Sequence, residues 1–361
     1  MKRSTSSLAL LSAAAMAGSL ALAAPAQAAP QRADGETLAS HMVSALSLAV
    51  AKDGTVYATD NFFGSIVGLK GKAAPYQVYQ STEKNAEVGA ASTYAKKVTF
   101  TITGKKKLVM QWKKGDAKAH QLANVGAYEE KKNPDAGQAY GLQGVTPECA
   151  AKWPVKQAGP AQYTGVVDSH PYSSYTTADG VYIGEAAGND ILWIDNSGKI
   201  KTVAVLPPTE VTITQAAADE LHLDACFVGL KYWLEPVPTD VELGPDGWLY
   251  VSSLPGGPES AALGANGRVY KVNPKSGAVK LVATGFIGTV DLAVANNGDI
   301  YVAELFAGQI SKVKKGSDTA KPFLKVNMPG AVEWTKDALY YTVNAVPAGK
   351  TPKGKVIRQP W

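Results

Sequence analysis

Apolar and polar positions alternate along this chain in short runs, and the runs recur as a phrase. An apolar run, a turn dipeptide, a second run with a Tyr, an acidic residue, a glycine turn and a third run occur five times. They lie at residues 46–69, 173–194, 238–272, 289–313 and 330–343. A repeat of this length signals supersecondary units that bury their faces only against each other. Alternating runs joined by Asp-Gly or Asn-Gly predict antiparallel hairpins. Such sheets arranged radially form a β-propeller.

The turn dipeptides count the blades. Asp53-Gly54, Asp179-Gly180, Asp246-Gly247 and Asn297-Gly298 mark four, and Lys336-Asp337 a fifth. The interval between the first two leaves room for one more, placed at residues 87–124: an inner run EVGAASTY, a turn at Lys96-Lys97, then VTFTIT, LVMQW and AHQLAN. The expected fold is all-β, a six-bladed β-propeller. An open ring would leave two unpaired sheet edges. The last blade supplies three strands ending in GKVIRQ (354–359), so ETLAS (36–40) is expected to add its outer strand and close the ring. Two insertions break the rhythm. Residues 126–163 are rich in Pro, Gly and Lys and read as a loop excursion. Residues 207–236 contain the helical pattern TQAAADELHL, with Thr214 at its N-cap.

The N-terminus changes the picture of where the protein works. A basic start (Lys2, Arg3), an apolar Ala-rich stretch and Ala26-Gln27-Ala28 form the pattern of a secretory signal peptide, with cleavage after Ala28. Residues 29–361 are then the exported chain, one propeller domain, with no later segment long enough to span a bilayer. Loss of Lys2 and Arg3 lowers the formal net charge from +5 to +3. That balance does not point to nucleic acid, and the Lys pairs between Lys105 and Lys132 lack interleaved aromatic residues. Two cysteines, Cys149 and Cys226, one in each insertion, are expected to form a disulfide in an exported protein. No C-x-x-C, G-x-S-x-G, H-E-x-x-H, P-loop or G-x-G-x-x-G motif occurs, and the four histidines are scattered.

The phrases DSHPYSSYTTADGVYIGEAAGNDILWI, EPVPTDVELGPDGWLYVSSLPGGPE, GRVYKVNP and DLAVANNGDIYVAELFAGQISKV closely resemble the ScyD/ScyE family. The resemblance covers most of the exported chain and includes GVTPECAAKWP and ELHLDACFVG, around the two cysteines. It implies an exported six-bladed propeller and no settled activity. More distantly, Y-V-A-E…G-x-I resembles NHL repeats and the calcium-dependent lactonase propellers.

Candidate chemistry follows from strand direction. Inner strands start, and second strands end, on the same face of the ring. Six residues before each turn stand Ser47, Ala90, Ser173, Asp240, Asp291 and Gly330. The second strands end at Asp60, Glu185 and Glu304, with Asn189 and Asp190 in the turn after Glu185. Asp240 and Asp291, on consecutive blades, are the candidate metal ligands, since clustered hard oxygens suit Ca²⁺ or Mg²⁺. Glu185, Glu304, Asn189 and His170 complete the candidate ligand-binding set, and Asp168 stands beside His170 as its prospective partner. Turn chemistry alone offers an account of Asp60, Glu185 and Glu304. The reading these residues favour is a monomeric, non-catalytic binding or scaffolding protein with a small molecule or envelope protein as its partner. Its alternative is a Ca²⁺- or Mg²⁺-dependent lactonase-like hydrolase or lyase at the same channel mouth.

Overall fold

The computed structural model describes residues 35–257, 261–347, 349 and 351–361. The expected signal peptide and its cleavage site lie outside the described residues. The fold is a six-bladed β-propeller. Blades 1 to 6 have their inner strands at Leu48–Val50, Glu87–Tyr94, Pro171–Thr176, Pro238–Leu243, Thr289–Val294 and Val332–Trp334. Each blade is a four-stranded antiparallel sheet in simple meander order, and the inner strands neighbour one another in that sequence around the axis, blade 6 returning to blade 1.

Burial explains why the ring must be complete. Both faces of a blade are apolar, and a core cluster fills each of the six blade–blade interfaces. Between blades 6 and 1, for example, Ala331, Ala338, Tyr340 and Val356 pack against Leu48, Val56, Ala58 and Leu69. Closure uses the N-terminal strand Glu36–Met42, which pairs antiparallel with Gly354–Pro360 (Glu36 opposite Arg358, Met42 opposite Gly354) and forms the outer edge of blade 6. The strand runs two residues beyond the expected 36–40.

Two sequence expectations need correction. In blade 2, Tyr94 pairs with Lys97, so the turn is Ala95-Lys96 rather than Lys96-Lys97; Ala95 takes the left-handed φ of 54° that such a tight turn requires. The first insertion is not a loop excursion. It carries a helix (Val125–Lys132), two short helices and the strands Ala139–Gln143 and Gln162–Thr164. The second insertion adds the strands Thr209–Thr212 and Lys231–Leu234, and the four strands form a seventh sheet. Its own core contains Trp153, Phe227 and Tyr232, with Trp153 stacked on Tyr232 at 5.7 Å. Within it, Thr214 caps the helix Gln215–Glu220 by accepting from the Ala217 N–H, as the sequence predicts. Cys149 and Cys226 are disulfide-bonded and fasten the two insertions together. No helix among the described residues is long and apolar enough to cross a membrane.

Removing all residues before Val43 strips blade 6 of its outer strand and exposes the Gly354–Pro360 edge. Thermal unfolding should then fall by roughly 5–10 °C. An unchanged melting temperature would show that the chain ends do not hold the ring.

Candidate functional site

Meander topology places the inner-strand starts, the turns after the second strands and both insertions on one face. That face is the channel mouth. A bulge recurs at the start of the inner strands of blades 3, 4 and 5, between Pro171 and Ser173, Pro238 and Asp240, and Thr289 and Asp291. It sets Ser173, Asp240 and Asp291 at one level. The backbone register gives Ala331, not Gly330, as the equivalent in blade 6, because Thr342 N–H bonds Ala331 O as Thr59 N–H bonds Ser47 O.

Three residues at this level latch neighbouring blades, whereas the buried Ser173 hydroxyl has no hydrogen-bond partner among the described residues. The Ser47 hydroxyl accepts the Ala91 N–H (2.8 Å), Asp240 Oδ2 accepts the Leu292 N–H (3.2 Å), and Asp291 Oδ1 accepts the Val332 N–H (2.9 Å). One oxygen of each aspartate is thereby committed to the backbone of the next blade. Two residues further down stand Glu242 in blade 4 and Glu333 in blade 6, which the sequence reading did not single out. The four carboxyls are within electrostatic reach of one another. Burial, opposed by the Leu292 and Val241 N–H groups, pushes Asp240 up to about 7. Burial and the Asp240 charge push Asp291 well above the carboxylate range. Burial, with Glu333 and Asp240, does the same to Glu242, and burial with Asp240 to Glu333.

His170 stands on the same face and departs from its expected partner. Asp168 accepts the Ser169 N–H, whereas His170 Nε2 pairs with Glu87 Oε2 of blade 2 at 2.9 Å. Glu87 Oε1 accepts from Asn61 Nδ2 (2.8 Å), and Asn61 Oδ1 accepts from the Thr59 hydroxyl (2.6 Å). Burial works against a charged imidazole, but the Glu87 carboxylate outweighs it and the His170 pKa rises. Glu87 shows the converse: burial opposes its charge, His170 and Asn61 outweigh burial, and its pKa falls. The His170 ring meets the edge of Tyr172 at 5.5 Å. Burial, then the charges of Glu87, Asp291 and Asp240, raise the Tyr172 phenol, so this ring links the imidazole pair to the aspartates.

The carboxylates ending the second strands serve the loops. Asp60 accepts the Val43 and Ser44 N–H groups. Glu304 accepts the Ile287 N–H and bonds Gln309 and Ser311. Glu185 accepts from the Ser169 hydroxyl and the Gly188 N–H. Asn189 lies away from the channel aspartates: its Nδ2 reaches Asp135 (2.9 Å) and Glu235 (3.4 Å), and its Oδ1 takes the Val237 N–H. Among the described residues no three His, Cys, Asp or Glu side chains are prearranged to hold a metal ion. A surface pocket of about 250 Å³ beside Val326, Asn344 and Lys355 holds no acidic or imidazole group and is remote from this chemistry.

No family model matches the chain, and no curated protein does. Solved structures share its fold. The PQQ-bound aldose sugar dehydrogenase from Streptomyces coelicolor superposes with a TM-score of 0.57 at 12% identity, over 92% of this chain and 99% of that one. A putative glucose dehydrogenase from Thermus thermophilus gives 0.55 at 14% identity, over 90% and 98%. A gluconolactonase from Xanthomonas campestris gives 0.53 at 10% identity, over 90% and 89%. At these identities the likeness is one of fold.

The channel carboxyls set a pH dependence. Asp240 titrates near the ordinary carboxylate value when unfolded and near 7 when folded. Its contribution is therefore fully present below about pH 4 and is lost as pH rises through about 7. In divalent-free buffer the melting temperature should fall by roughly 5 °C between pH 5.5 and 8. Asp240→Asn should make that slope shallower, the other raised carboxyls keeping the rest of it. A melting temperature that rises over this interval contradicts protonated channel carboxyls.

Proposed function

We propose that the channel mouth is an acid–base site and that the protein is an exported hydrolase or lyase acting on a small oxygen-rich substrate such as a lactone or ester. The observation that carries this reading is the buried His170–Glu87 pair placed beside two carboxyls that hold protons near neutral pH. Glu87 orients the imidazole, and Asn61 and Thr59 orient Glu87, which is the base–orienter logic of acid–base catalysis. With Nε2 committed to Glu87, Nδ1 is the atom left to exchange a proton with substrate. Asp240, near 7, can donate a proton to a carbonyl or leaving-group oxygen and take one back. The donor set also fits a hard cation. Ca²⁺ or Mg²⁺ at Asp240 and Asp291 would be held by the oxygens not given to Leu292 and Val332, and would polarise a substrate carbonyl. The residue pattern around the cysteines supports placing the chain with the ScyD/ScyE propellers. The signal-peptide pattern and the disulfide support export.

A second reading, recognition of an envelope protein or other partner without turnover, rests on a different observation. The loops of the mouth face carry exposed apolar side chains: Phe62, Phe63, Val166, Val167, Ile287 and Phe306, each between 44% and 59% exposed. An apolar rim around a polar mouth suits a partner surface or a substrate with an apolar body.

Both readings meet in one experiment. The mature protein is assayed against sugar lactones, aryl esters and uronate oligosaccharides from pH 5 to 9, and His170 is titrated by NMR. Turnover should occur for one class, and His170→Asn and Glu87→Gln should each lower kcat/KM by about 100-fold, at unchanged folding temperature. Glu87→Gln should also move the His170 titration to lower pH. No turnover, together with a His170 pKa at or below about 6.5, would sink the catalytic reading and leave partner recognition.

A further inference from the structure

A second group of acidic side chains lies beside the mouth, where both insertions meet blade 3. Asp190 begins the third strand of that blade, directly opposite Glu185 in the register. It is fully buried, and neither of its carboxylate oxygens has a hydrogen-bond partner. Glu129, on the helix Val125–Lys132, is 3% exposed with Oε1 unpartnered. Asp135, in the loop after that helix, is 1% exposed with Oδ1 unpartnered, while its Oδ2 takes Tyr140 and Asn189. Four carboxylate oxygens are thus buried without a partner, a costly arrangement for ionised groups. The space among them is small. A Cβ added at Gly188 would stand 3.0 Å from Glu185 Oε2 and 3.3 Å from Glu129 Oε2.

We propose that Asp190, Glu129, Asp135 and Glu185 bind one divalent cation, Ca²⁺ by its chemistry, that clamps the first insertion onto blade 3. This site is distinct from the channel aspartates and does not depend on the catalytic reading, although Glu185 also lies within electrostatic reach of His170. The donors are all hard oxygens, with no thiolate or imidazole among the four, which favours Ca²⁺ over Zn²⁺. Ca²⁺ also accepts irregular shells of six to eight oxygens, so backbone carbonyls and water can complete it. Since no cage is prearranged, the free oxygens of Asp190, Glu129 and Asp135 would turn onto the ion. The electrostatics agree. Burial comes first and mutual repulsion second in raising Glu129 to about 8 and in raising Asp190 well above the carboxylate range. Glu185 rises to about 7 through burial, against its hydrogen bonds and the His170 charge. An ion would relieve what these groups otherwise answer by taking up protons.

The test uses the chelator-treated mature protein at pH 7.5, titrated with CaCl₂ to 5 mM by calorimetry and by thermal unfolding, together with Asp190→Asn, Glu129→Gln and Asp240→Asn. Wild type should bind at least one equivalent and gain about 5 °C, with one equivalent belonging to this cluster whether or not the channel aspartates take another. Asp190→Asn and Glu129→Gln should each lose at least ten-fold in affinity and most of the gain. Asp240→Asn should keep both, whatever its effect on turnover. If Asp190→Asn does not fold, Glu129→Gln alone decides. No binding by wild type would overturn the proposal and leave a proton-filled cluster. So would binding untouched by either cluster variant, or binding lost only with Asp240→Asn, which would put the ion at the channel mouth.

Discussion

A blade of four strands is apolar on both faces and cannot bury either by itself, and this constraint governs the molecule. It demands a neighbour on each side, and in a chain with two ends it demands a ring. The ring in turn forces six inner strands together around an axis, where backbone groups of one blade meet side chains of the next. In blades 3, 4 and 5 a recurring bulge sets Ser173, Asp240 and Asp291 at that junction, at the level Ser47 holds in blade 1. Ser47, Asp240 and Asp291 all use the position to accept a backbone N–H across the interface. The outer strand of blade 6 comes from the opposite end of the chain, so the two ends of the folded chain are joined in one sheet.

The same geometry separates what folding requires from what it does not. Ser47 makes the blade-to-blade bond with an uncharged hydroxyl. Asp240 and Asp291 make it with carboxylates, which cost more to bury. Glu242 and Glu333 add two more acids at a level where blades 1, 2 and 5 place Ala49, Ser92 and Ala293. Packing does not ask for any of the four charges. Asp60 and Glu304 are the contrast: backbone donors of the adjoining loops satisfy both oxygens of Asp60 and one of Glu304, the Gln309 and Ser311 side chains satisfy the other, and the turns they brace explain their position.

Much of the fold was legible because turn dipeptides keep the count. Asp-Gly and Asn-Gly fixed the register of blades 1, 3, 4 and 5, and counting back from them found Asp240 and Asp291. Blade 2 slipped by one residue because Ala95 supplies the left-handed turn conformation that glycine advertises elsewhere. The seventh sheet was illegible for a different reason. Its strands are three to five residues long, and the two halves are separated in the chain by the whole of blade 3. Long-range pairing of short strands leaves no local period to read. The Glu87–His170 pair was also missed, since its members are 83 residues apart. A signal was nevertheless present: Glu87 lies three residues before Ala90, and His170 three before Ser173, so both occupy one level on adjacent blades.

The insertions explain why two acidic groups stand so close on one face. The disulfide and the Trp153 cluster hold the inserted sheet together, with Leu263 from a loop of blade 4 packed against that cluster. Its junction with blade 3 combines the apolar packing of Val125 and Tyr128 against Val181, Ile183 and Leu192 with polar bonds: Asn189 reaches Asp135 and Glu235, and Tyr128 bonds Thr202. Repulsion among Glu129, Asp135, Glu185 and Asp190 works against that junction unless protons or a cation offset it. Glu185 belongs to both neighbourhoods. It accepts from Ser169, and its charge helps hold the proton on His170, behind the larger effect of Glu87. Neutralising Glu185 therefore weakens the grip of His170 on its proton. The acidic cluster beside the insertion thus reaches the imidazole at the channel mouth through Glu185 alone, as a smaller influence than the direct pairing with Glu87.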